Sequence, residues 1–531
     1  MMIDISAIQS LEIMQNLRDH KSKDSLYGLL NYTSTPMGAR MLRNNILQPP
    51  TRSEAFIAPR YDALEELSSR EETFHEIRKS LKLFHDVERV LTRLIIVRAN
   101  TGVDLIEEQI GHILLVKSFL EAVTELHKAL RPVQSTLLVK IRDLCRPEIT
   151  RPVLSNIKTV IEADVTYVKS PLDLRNQRTF AVKPGISGML DVARQTYKEL
   201  TEEVHEHIDD INKRFQVCAI LKYDSGRKYW LRIRVSDFEN AMVPPLFINQ
   251  VRKKDVVECQ TLNLVKLNVR LSDTSNEVVI RSDVIIQNLL QDLRAASPQL
   301  FRVCESVALV DMLTSFAQLT TTCGYVRPEL TDTLALKAAR HPILDIRLSG
   351  GFVPNDYYAT DQYCFHVVTG CNMSGKSTYI RAVALLQIMA QVGCFVPAEY
   401  AAFPVVNNIF ARVSMEDSIE ASLSTFSVEM REMAFILRNV DGKSLAIIDE
   451  LGRGTSTRDG LSIAIAISEA LVQTKASVCY NDEHHYGIHL ARAIGVPADQ
   501  ARNWGSKESL PGYLKRLQSE FVARMTNIDD D

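Results

Sequence analysis

Paired cysteines, excess charge and long apolar runs are all missing from this 531-residue chain. Its nine cysteines have no paired short spacing and no C-x-x-C, so no disulfide framework or cysteine zinc site is indicated. They read as buried, reduced thiols of an intracellular protein. The formal net charge is only -3, which excludes nucleic-acid binding by global charge and leaves local basic patches as the means. The longest apolar pattern, Ala382 to Ala398, is broken by Gln387, Gln391 and Pro397, so no membrane span is expected. Nothing resembles a signal peptide. What is present is a 46% hydrophobic chain, long enough for several domains with large cores.

The stretch Gly370-Cys371-Asn372-Met373-Ser374-Gly375-Lys376-Ser377-Thr378 fits the Gly-x4-Gly-Lys-Ser/Thr phosphate-binding loop. An apolar run, Cys364 to Val368, precedes it, and a helical pattern, Tyr379 to Val396, follows, as the motif requires. Loop amides and the helix N-terminus would turn partial positive charge toward a phosphate chain. Lys376 would neutralise the outer phosphates of ATP, and Ser377 would ligate Mg2+. The competing reading is a glycine-rich turn.

A second run, Ser444-Leu445-Ala446-Ile447-Ile448-Asp449-Glu450, ends in two carboxylates, as a buried parallel strand ends at the carboxyl edge of a sheet. Asp449 suits the Mg2+ and Glu450 suits activation of a water for in-line attack. A surface Asp-Glu turn is the plainer alternative. The glycines and hydroxyls of Leu451 to Gly460 suit a loop around a nucleotide.

Elsewhere, residues 1 to about 170 read as helical, with Ile110, Ile113, Leu114, Leu120 and Val123 at helical spacing. Two β-rich runs flank Asp224-Ser225-Gly226-Arg227 and predict a hairpin. Between Lys213 and Lys254 ten Lys/Arg face three acids, with Tyr223, Tyr229 and Trp230 interleaved. That pattern fits either a surface gripping the DNA backbone or a solvated hairpin with core aromatics. From about 330 onward strands and helices alternate, which predicts an α/β domain with a largely parallel sheet.

Several segments together resemble the MutS family of DNA repair and recombination ATPases. They are Thr369 to Thr378, Ser424-Thr425-Phe426-Ser427-Val428-Glu429-Met430, Ile448 to Thr457, Thr35-Pro36-Met37-Gly38, Phe180 to Gly185, Leu190 to Arg194, Tyr325 to Pro328 and Arg340 to Leu344. The wording around Asn372 and Ser424 is most similar to the meiotic branch, whose members pair with a second meiotic homologue. The resemblance implies a multidomain fold: a mainly α-helical core/lever domain, an inserted mixed α/β clamp, and an ABC-type α/β P-loop ATPase. The implied boundaries are core/lever over 1–172, clamp over 173–270, returning core/lever helices over 271–328, ATPase over 329–480 and a helical dimerisation segment over 481–531. It also implies ATP and Mg2+ as cofactors, branched DNA and a second MutS homologue as partners, and a nuclear, chromosome-associated place.

Site roles follow by resemblance, position by position. Phe352 matches the aromatic that stacks on adenine, though a core phenylalanine at a strand edge is the alternative. Asn372 matches the loop asparagine. Ser424 matches the serine that enters the partner's nucleotide site, and it also reads as a helix N-cap. Lys222, Arg227, Lys228 and Arg232 are the expected DNA contacts.

The departures are equally specific. Neither the mismatch-reading nor the connector domain is expected in this stretch, since Leu11 to Leu17 already resembles the first core helix, and Phe74-His75-Glu76 carries the letters of the mismatch wedge only inside a helical packing segment. After Ala476 to Tyr480, Asn481-Asp482-Glu483-His484-His485 breaks the expected strand. The reading is an internal deletion that removes the switch histidine and leaves a sheet edge with unpaired amides; the rival makes His484 the switch. Four function classes remain open at this level: a meiotic DNA clamp, a mismatch sensor, a chromosome-maintenance ATPase, and a non-hydrolysing interaction protein.

Overall fold

The computed structural model describes residues 1–17, 19, 22–96, 103–162, 179–224, 226–238, 243–348, 351–370, 374–413, 425–452 and 455–483. The expectations for Cys371, Asn372, Met373, Ser424, His484 and the segment 484–531 lie outside the described residues. The chain divides into two compact units. The first comprises Met1–Arg78, Pro132–Lys140 and Ala308–Asp531, and the second Lys79–Arg131 and Ile141–Val307. Among the described residues no helix is long and apolar enough to cross a membrane.

In the first unit a five-stranded, all-parallel sheet runs in the order β1 (Met2–Ile3), β11 (Asn408–Arg412), β12 (Ser444–Asp449), β13 (Ser477–Glu483), β9 (Phe365–Gly370). β12 is buried at all six positions, as expected of a parallel strand covered on both faces. On one face Phe410, Ala446, Ile448, Val478 and Tyr480 pack with Met433, Ile436, Ala464 and Leu471 from helices Thr425–Asn439 and Thr457–Gln473. Beside it lies a four-stranded sheet of β6 (Glu329–Leu330), β10 (Tyr400–Phe403), β7 (Leu334–Ala339) and β8 (Asn355–Ala359).

Two expectations are corrected here. Residues 1 to about 170 are not helical throughout, because Met2 and Ile3 pair with Asn408 and Ile409 as the first strand of the sheet. Nor does Asn481-Asp482-Glu483 break its strand. Asn481 pairs with Asp449 on one side and Val368 on the other, and Glu483 pairs with Gly370. Ladder bonds on both sides outweigh the poor strand propensity of these residues. β13 is therefore an interior strand, not an edge. Among the described strands the edges are β1 and β9.

The Thr35–Gly38 signature has a packing cause. Buried Asp311 accepts bonds from the Ser34 amide (2.8 Å), the Thr35 amide (2.7 Å) and the Thr35 hydroxyl (2.6 Å). Thr35 in turn caps helix Pro36–Leu47 through the Gly38 amide. A Cβ on Gly38 would lie 2.3 Å from the Asp311 carboxylate, so only glycine fits.

In the second unit an antiparallel sheet runs β2 (Ile220–Asp224), β3 (Lys228–Arg234), β5 (Val256–Thr261), β4 (Phe247–Lys253). The hairpin predicted at Asp224 to Arg227 is β2–β3. One sheet face buries Leu231, Ile233, Val257 and Cys259 against Tyr197, Leu200, Val204 and Ile208 of helix Gly188–Phe215 and Leu264, Leu267 and Leu271 of helix Leu262–Cys323. Of the eight described cysteines, six are buried; Cys218 is exposed and Cys323 half-buried, so the expectation of buried thiols fails at Cys218.

Candidate nucleotide site and basic sheet

The glycine loop leaves β9 and enters helix Lys376–Val392. Gly375 stands at the N-cap with φ 95°, and among the described residues no side chain caps the first turn. A residue with a side chain is strained at that φ. The first-turn amides beyond it are of the kind that bind an anion at a helix N-terminus. Lys376 is buried, and its Nζ donates to the Gly370 carbonyl at 2.8 Å. A Cβ on Gly370 would stand 2.9 Å from Ser374 Oγ. Ser377 and Thr378 follow, half-buried, in the first turn.

Asp449 ends β12 with only 3% of its surface exposed. Through β13 it lines up with Val368, two residues before Gly370. Two strand spacings separate β12 from β9, about 9.5 Å. The sheet thus brings Asp449 and the glycine loop together at one carboxyl edge. Glu450 follows with φ 47°, where the chain turns sharply out of the strand. Sequence reading gave Glu429 only a place in the helix-cap pattern with Ser424 and Ser427. Its buried carboxylate accepts the Gly452 amide at 2.7 Å.

Phe352 is half-buried, with its ring 6.3 Å from that of His341. Burial, and then the charge of Arg381, push the His341 pKa down to about 4. Arg381 lies four residues beyond Ser377 on the same helix, so this aromatic pair sits beside the first turns of the loop helix. His341 itself caps the short helix Pro342–Arg347 by accepting the Leu344 amide. Sequence reading missed that role.

On the antiparallel sheet, the open face carries Lys222, Arg232 and Arg234, all exposed. Arg227 is differently placed. It pairs with Asp224 at 2.9 Å and with Glu258 at 2.8 Å, and its guanidinium lies 4.2 Å from the centre of the Trp230 ring. Lys253 pairs with Glu258 as well, and these two cations hold the Glu258 carboxyl below its usual range. Lys228 is half-buried with φ 60°. Tyr223 and Tyr229 pack into the core face, and Trp230 is covered by Arg227. The interleaved aromatics are therefore core and cover, not stacking platforms, while the cations at 222, 232 and 234 remain on the surface.

Comparison with known proteins bears on both units. The family model for MutS domain III matches residues 6–223, that for MutS family domain IV residues 185–277, and that for MutS domain V residues 366–493. The chain belongs to the MutS family. It is 37% identical to MutS protein homolog 4 of Homo sapiens over 90% of this chain and 51% of the human protein. The protein of the same name in Saccharomyces cerevisiae is 36% identical over 90% of this chain and 54% of its own length. The DNA mismatch repair protein MutS of Methanosarcina barkeri is 32% identical over 98% of this chain and 55% of its own length. The chain spans about half the length of these relatives. The open basic face lies within the segment matched by domains III and IV, and the carboxyl edge of the parallel sheet within that matched by domain V.

Proposed function

We propose that this MutS-family chain is an ATP-dependent DNA clamp subunit of meiotic recombination, acting on branched DNA in the nucleus as a heterodimer with a second MutS homologue. One observation carries the reading: the N-terminus of helix Lys376–Val392 and the buried Asp449 meet at one carboxyl edge. That arrangement suits a triphosphate with its cation. The first-turn amides and Lys376 would bind the phosphates, and Ser377 and Asp449 would hold Mg2+. Phe352 would face the base. Bound there, Mg2+ would supply charge neutralisation for the leaving phosphates. Glu450, in the sharp turn after Asp449, would take the proton of the attacking water. The likeness to MutS protein homolog 4 in two organisms supports the meiotic branch. Ser424, by family resemblance, would complete the partner's site, so turnover would need two subunits.

Steady-state hydrolysis, measured with and without the second subunit and branched DNA, tests this. Turnover should depend on the partner, and Glu450→Gln should lower it ~10²-fold while nucleotide binding survives. Full turnover by the isolated chain, or by Glu450→Gln, would contradict it. The likeness to an archaeal DNA mismatch repair protein favours a second reading, a mismatch-repair subunit. Tighter binding to mismatched than to branched DNA would select that reading.

A further inference from the structure

The helix that begins at the glycine loop is held at its other end by two residues from far away in sequence. Tyr61 Oη donates to the Ala390 carbonyl at 2.6 Å, and an Arg60 terminal nitrogen donates to the Val392 carbonyl at 2.7 Å. Both are among the last carbonyls of helix Lys376–Val392, where helical partners run out; the Ala390 carbonyl also accepts the Gly393 amide at 3.0 Å. The second terminal nitrogen of Arg60 bonds Asn45 Oδ1 at 2.8 Å. Gln391, in the last turn, donates to the Pro50 carbonyl at 3.0 Å. The helix stops at Gly393, φ 97°, where a Cβ would stand 2.7 Å from the Arg60 side chain.

The charge pattern matches the helix field. The guanidinium of Arg60 sits at the negative end, and the glycine loop occupies the positive end. Burial lowers the Arg60 pKa to about 10, so it keeps its charge at neutral pH. Residues Ala382 to Val392 are all buried, and the seventeen-residue helix is about 25 Å long. A helix so enclosed in a close-packed interior transmits displacement along its axis rather than absorbing it.

We propose that Arg60 and Tyr61 are positioning residues for the glycine loop, fixing the far end of its helix and thereby linking nucleotide affinity to the packing of helices Pro36–Leu47 and Ala58–Ser69. This rests on the nucleotide-site reading above. Linkage is reciprocal: nucleotide at the loop must tighten the Arg60 and Tyr61 contacts as much as these contacts favour nucleotide.

The test uses the whole purified chain, titrated with Mg-ATP by calorimetry and followed by hydrogen exchange. In the natural protein Mg-ATP should slow exchange in residues 58–64 and 388–396. The Arg60→Met/Tyr61→Phe pair, shown to be folded by circular dichroism, should bind Mg-ATP about tenfold more weakly and lose the response in 58–64. Arg60→Lys, which keeps a cation at the helix end, should recover most of the affinity. A purely structural role would lower the Tm and leave both nucleotide readouts unchanged, and that result overturns the inference. So does a natural protein whose 58–64 amides ignore saturating Mg-ATP while its loop amides are protected. Should the double variant fail to fold, Tyr61→Phe alone decides, with a smaller loss of affinity expected and none overturning the proposal. Mg-ATP binding that Lys376→Ala leaves intact would instead defeat the nucleotide-site reading, and this inference with it.

Discussion

Glu429 holds Gly452: its buried carboxylate accepts the Gly452 amide at 2.7 Å. Gly452, at φ 84°, lies against Gly460 so closely that a Cβ on either would meet the other's carbonyl oxygen at 2.7 Å or 2.4 Å. Glu450 stands two residues before this locked point. The turn that presents Glu450 is therefore fixed from helix Thr425–Asn439 on one side and from helix Thr457–Gln473 on the other.

Glu429→Ala should free that turn. If the proposed function holds, hydrolysis measured with a second MutS homologue is expected to fall tenfold or more, while the Kd for ATP stays within about threefold, since no phosphate contact is lost. Glu429→Gln keeps an acceptor oxygen and should fall in between. Parallel steady-state and binding measurements check this; equal losses in kcat and in affinity would mean general damage to the site.

The basic sheet makes a separable prediction. Lys222, Arg232 and Arg234 point to solvent, so replacing all three with Ala should lower the slope of log K against log salt for DNA by about 2 to 3. Arg227→Ala should leave that slope nearly unmoved and lower the Tm, because Arg227 already serves Asp224, Glu258 and Trp230. A slope that follows Arg227 and ignores the triple variant would reverse the assignment.

His341 gives stability a pH dependence of known sign. Its folded pKa is pushed down to about 4 from 6.5, so between those values the unfolded chain binds the proton and the folded one does not. Stability should fall as pH drops through this window, by about 3 kcal/mol in total, and level off below it. His341→Asn keeps an acceptor for the Leu344 amide and should remove this contribution. Chemical denaturation at pH 7 and pH 4.5 measures it; identical pH dependence in both proteins would show that His341 does not titrate as described.

Much of the candidate site is legible in sequence, because its parts are local. The strand, glycine loop and helix around Gly370 are contiguous, and so is the apolar strand that ends at Asp449. Asp224 to Arg227 announces its hairpin by turn chemistry alone. What stays hidden depends on partners distant along the chain. Two residues, Met2 and Ile3, are too short a run to signal a strand, and only the exposed side of β11 makes them one. Asn481 to Glu483 look like a strand breaker until β9 and β12 pair with both of their edges. Arg227 looks like a free cation until Glu258, thirty-one residues on, claims it. Arg60 and Tyr61 carry no motif, since the carbonyls they hold lie more than three hundred residues away.

The central claim is that the loop after β9 binds a nucleotide phosphate chain. Calorimetric titration of Mg-ATP into the natural chain and into Lys376→Ala tests it most directly. The Lys376 ammonium is the only side-chain cation of the loop motif, so its removal should weaken binding tenfold or more, roughly 1.4 kcal/mol per decade. An unchanged Kd, or a natural chain that binds no ATP, would contradict the account.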